Sequence, residues 1–263
     1  MQFSFLFRLE AWQLMLIILV LMIVCTLIGM YVGKRRAKES KLDSTILGSL
    51  FGLLGLLLAF SFSLATSFLG IRREIIIDES NNIGTAILRS DLYSEGERKL
   101  FRADFKQYIE ARIDYFAYKD VKTVLEAQDR SVKIQQALWI RASSLSRDSG
   151  NYVASMQMIP ALNSVIDISN KRYYIDSVHL PEPIIYLLVI MACACAFFVG
   201  YTISGKERFD WLLIPGFCLL TSMIVFLIFD IDRPRRGLIT LDKINKSIVD
   251  LRKMIPEEVK TNK

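Results

Sequence analysis

Apolar and polar positions divide the chain into four long apolar runs, with a mixed stretch set between the second and the third. The first run spans Ala11 to Gly33, the second Thr45 to Gly70, the third Ile184 to Ile203 and the fourth Trp211 to Phe229. None contains a charged residue. Each is long enough as a helix, at 1.5 Å rise per residue, to cross a hydrocarbon core of about 30 Å or to come close to it. The second run is 26 residues long and contains no proline. Its helical pattern does not stop at Gly70, because Ile71, Ile75, Ile83 and Ile87 recur at multiples of four with Arg72, Arg73, Glu74, Asp78 and Glu79 between them. The pattern predicts one helix that leaves the membrane and continues into water as an amphipathic rod.

The mixed stretch repeats the helical period and shows no strand alternation. A helix over about 95–118 carries Leu100, Phe101, Phe105, Tyr108, Ile109, Arg112 and Phe116, with Ser94 and Glu97 at capping-box spacing before it. A second covers about 121–146, and a turn at Asp148, Ser149 and Gly150 leads to a third over about 151–178, in which Pro160 marks a kink or a break. Pro181 and Pro183 close the stretch. After the fourth run, Leu241, Ile244, Ile248, Leu251 and Ile255 predict a short amphipathic helix that packs on the bundle or lies on the membrane. The fold class is therefore all-α, with four transmembrane helices and a helical soluble domain inserted between helices 2 and 3. The expected divisions are a first transmembrane hairpin at 11–70, a soluble domain at 71–182, a second hairpin at 184–229 and an amphipathic tail at 230–263.

Within the second helix, Leu56, Phe60, Leu64 and Phe68 form a bulky stripe at i, i+4, while Gly48, Gly52 and Gly55 are small. Gly48 with Gly52, and Gly29 with Gly33 in the first helix, have the spacing that lets helix backbones approach closely. The plain expectation is lipid contact for the stripe and hydroxyls of Ser61, Ser63, Thr66 and Ser67 bonded back along the helix. The sharper one is a pore-lining face whose bulky residues form a hydrophobic constriction.

Composition removes several classes of function. The net charge of +6 is concentrated in short runs, which in a membrane chain set topology and meet anionic lipid. No nucleic-acid signature and no glycine-rich phosphate loop occurs. Cys25, Cys193, Cys195 and Cys218 all lie in apolar runs, and Cys193 and Cys195 point in different directions on a helix, so no metal site and no cofactor is expected. The single His179 precedes the third run with no nucleophile paired to it, which argues against an enzyme. Asp78, Glu79, Asn81 and Asn82 follow one another around the rod and are expected on a solvated face or between subunits. The absence of charge inside the spans argues against proton-coupled transport.

Three stretches carry a family resemblance: Gly52 to Thr66 (GLLGLLLAFSFSLAT), Glu79 to Arg89 (ESNNIGTAILR) and Phe229 to Ile239 (FDIDRPRRGLI). Together with the order of parts, they resemble a bacterial bestrophin-like family of unknown function, distantly similar to the bestrophin anion channels. The resemblance implies a homo-oligomer, pentameric in known bestrophins, with the second helices around the pore and small anions as the conducted species. Phe60 and Leu64 are then the constriction candidates, Leu56 and Phe68 complete the stripe, and Arg72 and Arg73 stand where they would attract anions. Asp230, Asp232, Arg233, Pro234, Arg235 and Arg236 form a tail-docking motif, with Asp232 expected to pair with Arg72 or Arg73. The three arginines depart from the acid-rich segment of calcium-gated bestrophins. The competing function is a non-conducting scaffold or sensor whose bundle binds a partner. The resemblance implies a bacterial inner (cytoplasmic) membrane. Five cations between Lys34 and Lys41 favour a cytoplasmic first loop and so an extracytoplasmic bundle; nine cations from Arg233 to Lys263, and the family pattern, point the other way.

Overall fold

A computed structural model of the chain describes residues 10–36, 44–204, 212–233 and 235–255. The expectations for Phe3, Phe5 and Phe7, for Lys38 and Lys41, for Lys206 and Arg208, for Trp211 and for Pro234 lie outside the described residues. The described residues form eight α-helices: α1 (Ala11–Arg36), α2 (Ser44–Arg89), α3 (Glu95–Ala117), α4 (Val121–Leu145), α5 (Tyr152–Ile175), α6 (Glu182–Ile203), α7 (Leu213–Asp232) and α8 (Asp242–Asp250). Single 3₁₀ turns follow α2 at Ser90–Leu92 and α8 at Leu251–Met254. There is no strand among the described residues. Four of these helices, α1, α2, α6 and α7, are long and apolar enough to cross a membrane.

The chain divides into two compact units. One is built from the residues up to Leu69 and from His179–Ile239, the other from Gly70–Val178 and the chain from Thr240 onward.

In the first unit α1 packs against α6 with almost no side chain between them. A Cβ on Gly29 would stand 2.0 Å from the Phe197 carbonyl oxygen, and one on Gly200 would stand 2.0 Å from the Thr26 carbonyl oxygen. Glycine is the residue that permits such an approach. By contrast, a Cβ on Gly48, Gly52 or Gly55 would meet nothing within 4 Å. Helix α7 seats on α1 through Ser222 and Met22 and on α2 through the edge-to-face pair Phe51–Phe217, with ring centres 5.3 Å apart. Ile18, Met22, Leu54, Ala65, Leu188, Ala196, Val225 and Ile228 fill the interior. Several hydroxyls bond back along their own helices, as Thr26 does to the Met22 carbonyl at 2.8 Å and Ser61 to the Leu57 carbonyl at 2.8 Å, which satisfies those donors in an apolar setting.

In the second unit Ile75, Ile83 and Ile87 of the predicted α2 stripe and Phe101, Phe105, Tyr108 and Ile109 of the predicted α3 stripe are buried, together with Leu138 from α4 and Leu162 and Val165 from α5, whereas Ile71 and Leu100 are exposed. Helix α4 starts where the Asp120 carboxylate accepts the Thr123 N–H at 3.1 Å. The capping box expected at Ser94 does not form: Ser94 is the N-cap residue but its side chain makes no cap bond, and Glu97 instead faces Arg141 at 3.8 Å. Pro160 breaks nothing, since α5 runs through it with its ring on the outer surface. The tail packs on the unit, with Ile248 fully buried and the Ser80 hydroxyl donating to the Ser247 carbonyl at 3.1 Å.

Candidate functional site

Helix α2 leaves one side exposed in each of the two units it enters. A helix turns once every 3.6 residues, so positions 56, 60, 63, 67, 74, 78, 81 and 85 fall within a narrow sector. All eight are exposed, Phe60 most of all among the large apolar residues of α2 at 66%. The opposite side of the same helix is packed: Leu54, Leu58, Ser61, Ala65, Leu69, Arg72, Ile76, Glu79 and Ile83 are buried. Of the bulky stripe, Leu56 and Phe60 are open, while Leu64 and Phe68 are half-buried at the edge of the face.

The two arginines beyond the span part company. Arg73 is exposed, on a different side of α2 from Phe60. Arg72 is buried at 2% exposure, and its Nη2 donates to the Val178 carbonyl. Charged residues of both signs stand near the line of Phe60: Arg89, at the end of α2 and within about 20° of that line, donates to the Gln157 carbonyl, and two carboxylates precede it. Asp78 lies 18 positions on, five full turns, and Glu74 lies within about 40° of the same line.

The expectation that Glu79 is solvated or lies between subunits is overturned. Its side chain is wholly buried and clamped between two arginines. Arg112 Nε on α3 donates to Oε1 at 2.5 Å, and Arg172 Nη1 on α5 donates to Oε2 at 2.5 Å. Arg112 also donates to Gln128 Oε1 at 2.9 Å, and Arg172 to Asn245 Oδ1 at 2.7 Å. Both guanidiniums lie over the Tyr115 ring, at 4.4 and 5.6 Å from its centre. Burial alone would push the Glu79 carboxyl up, but the two guanidiniums outweigh it and hold it below its ordinary range. For Arg112 burial opposes the charge, and Glu79 outweighs it in turn, so the guanidinium stays charged. The sequence clue was a cation placed on each of two apolar stripes, Arg112 four residues after Tyr108 and Arg172 four after Ile168.

The end of α7 gathers a second set of buried charges. Asp230 and Asp232 are 2% and 1% exposed, at the helix end whose dipole repels a carboxylate. Backbone donors compensate. Asp230 accepts the Leu238 N–H at 2.8 Å and the Ile239 N–H at 3.0 Å, and Asp232 accepts the Leu180 N–H at 3.1 Å. His179 Nδ1 stands 3.2 Å from Asp232 Oδ2. A Cβ on Gly237 would fall 2.7 Å from the Asp230 carbonyl oxygen, so only glycine fits the returning loop. Arg233 lies over the Phe229 ring at 5.3 Å, Arg235 is half-buried and Arg236 is exposed. No group of three or more His, Cys, Asp or Glu among the described residues is arranged to hold a metal ion.

Four apolar helices, a buried ionic clamp beside the longest of them and an unpartnered outer face on that helix define an all-α membrane protein of bestrophin-like fold. The likeness is to solved structures. A crystal structure of a bacterial bestrophin homologue from Klebsiella pneumoniae matches 90% of this chain and 99% of its own, with a TM-score of 0.67 at 10% identity. A second variant of that homologue matches 92% and 99%, with a TM-score of 0.68 at 11% identity. A crystal structure described as a membrane protein matches 92% and 99%, with a TM-score of 0.66 at 10% identity. No family sequence model matches the chain, and no curated protein matches it in sequence. The bestrophin-like fold expected from the sequence is the fold found.

Proposed function

We propose that the protein is an oligomeric ion channel in which the outer faces of α2 from several copies surround the conducting path, five copies by resemblance to bestrophins. The observation that supports this reading is the face itself. Inside the span its exposed positions combine Gly52, Leu56 and Phe60 with the hydroxyls of Ser63 and Ser67, and beyond the span they are Glu74, Asp78, Asn81 and Thr85. A face turned only to lipid has no use for Ser63 and Ser67 on the line of Phe60, and one turned only to water has no use for Phe60. Phe60, flanked by Leu64, forms the constriction, and such a ring excludes water when narrow.

The exposed carboxylates near the line of Phe60 support a reading in which cations are favoured over the anions that the resemblance implied. The resemblance implied anions attracted by Arg72 and Arg73, but Arg72 is buried and Arg73 is off the face. Rings of Glu74 and Asp78 make the mouth negative and concentrate cations. The protein reconstituted in liposomes should pass Na⁺ or K⁺ down a gradient more readily than Cl⁻. Phe60→Ala should raise the flux several-fold, and Glu74→Gln with Asp78→Asn should reduce the cation preference. A purified oligomer that passes neither ion, in the wild type or in Phe60→Ala, would leave the scaffold reading in its place.

A further inference from the structure

The Glu79 clamp holds two guanidiniums and one carboxylate, so it carries one positive charge more than it neutralises. All three side chains are at least 97% buried. The surplus is met by two neutral amide oxygens, Gln128 Oε1 for Arg112 and Asn245 Oδ1 for Arg172. These two acceptors are held in different ways. Gln128 sits on α4, a 25-residue helix of the bundle. Asn245 sits on α8, a helix of nine residues that could not persist alone in water. Among the described residues that tail also meets the bundle through the Ser80–Ser247 bond and through the bidentate Arg252–Glu110 pair, which is about half exposed and so weakened by solvent.

We propose that the tail from Asp242 to Met254 is a detachable strap, and that Asn245 is the positioning residue through which its docking is felt at Glu79 on α2. Undocking takes away the acceptor of Arg172 Nη2 in a dry interior. A buried guanidinium without an acceptor turns toward water or lets water in, and Glu79 then loses one of its two partners. The α2 segment from Ile76 to Leu88 is loosened with it. Linkage is reciprocal, so weakening the clamp at Glu79 loosens the tail. The inference rests on the channel reading only for what the loosening does to conduction; the mechanics stand apart from it.

Hydrogen–deuterium exchange on the full chain in lipid nanodiscs tests it. Asn245→Leu keeps the bulk and removes the acceptor. It should speed amide exchange at least ten-fold in residues 242–254 and also in 76–88, with α4 residues 130–145 unchanged. Asn245→Asp restores an acceptor and should return both segments to wild-type rates or slower. Glu79→Gln should speed the tail. Faster exchange in the tail alone, in no segment, or equally everywhere including 130–145 would overturn the proposal. Should Asn245→Leu not fold, Arg252→Ala releases the tail at its exposed contact; it should carry 76–88 with it, and a change confined to 242–254 overturns the strap. Sodium flux measured on the same samples separates the two readings. Absence of flux in every variant counts against the channel, while the exchange pattern alone decides the strap.

Discussion

Gly29 of α1 lies so close to Phe197 of α6 that a Cβ on the glycine would stand 2.0 Å from the Phe197 carbonyl oxygen. Gly29→Ala should therefore force the helices apart and destabilise the membrane unit by about 1–3 kcal/mol or more. Gly200→Ala should do the same, because its Cβ would strike the Thr26 carbonyl. Gly52→Ala should leave the protomer's melting temperature in detergent unchanged, since nothing lies within 4 Å of its Cβ. Equal losses in all three would refute the assignment of the close contact to α1 and α6.

Glu79→Gln leaves two buried guanidiniums facing a neutral amide. The expected cost is about 3–5 kcal/mol, read as a fall in melting temperature. The carboxyl is held below its ordinary value of 4.5. Its contribution is thus fully present above that pH and is lost as pH falls through its lowered native value. Melting between pH 7 and pH 3 should show an acid-dependent loss that is smaller in Glu79→Gln. Parallel curves for the two proteins would remove Glu79 as its source.

Gly237→Ala should disturb the loop that returns to α7, because its Cβ would press on the Asp230 carbonyl at 2.7 Å. Asp230→Asn weakens the acceptance of two backbone N–H groups at a buried site, with an expected loss of about 1–3 kcal/mol. Limited proteolysis at Lys243 and Lys246, both exposed on α8, reports whether the tail is released. Unchanged cleavage in both variants would show that this loop does not hold the tail.

Topology is open to cysteine labelling with an impermeant reagent. Ser131 on α4 is fully buried and unsuited to it, whereas Ser149 lies in an exposed turn. Ser149→Cys and Ser40→Cys should label from opposite faces of the membrane, and the cations of the first loop predict Ser149 on the extracytoplasmic face. Labelling of both from one side would rule out the hairpin arrangement.

The helices were legible because their apolar periods are long and uninterrupted, and α2 could be followed past Gly70 on its isoleucines. The clamp was not. A carboxylate between Asp78 and Asn81 looks solvated until its partners are known, and they lie 33 and 93 positions away. Arg112 and Arg172 each interrupt an apolar stripe, which marks a buried cation without naming what it meets. The glycines show a similar limit. Gly29–Gly33 and Gly48–Gly52 have identical spacing, yet only the first pair is filled within the protomer. The phase of α2 was equally hidden, since which of its sides is packed depends on neighbours such as Phe217, whose place the local sequence does not encode.

The backbone contact between Gly29 and Phe197 also sets an order of events during synthesis. The two residues are separated by about 170 positions, with the whole α3–α5 bundle between them. At roughly 5–20 residues per second, α1 waits on the order of 10–30 s in the bilayer before α6 emerges to cover its glycines. During that interval the notch at Gly29 and Gly33 is open to any passing helix. A nascent chain stalled before α6 should accordingly be captured by insertion chaperones or by the α1 of another copy, and released once α6 is made.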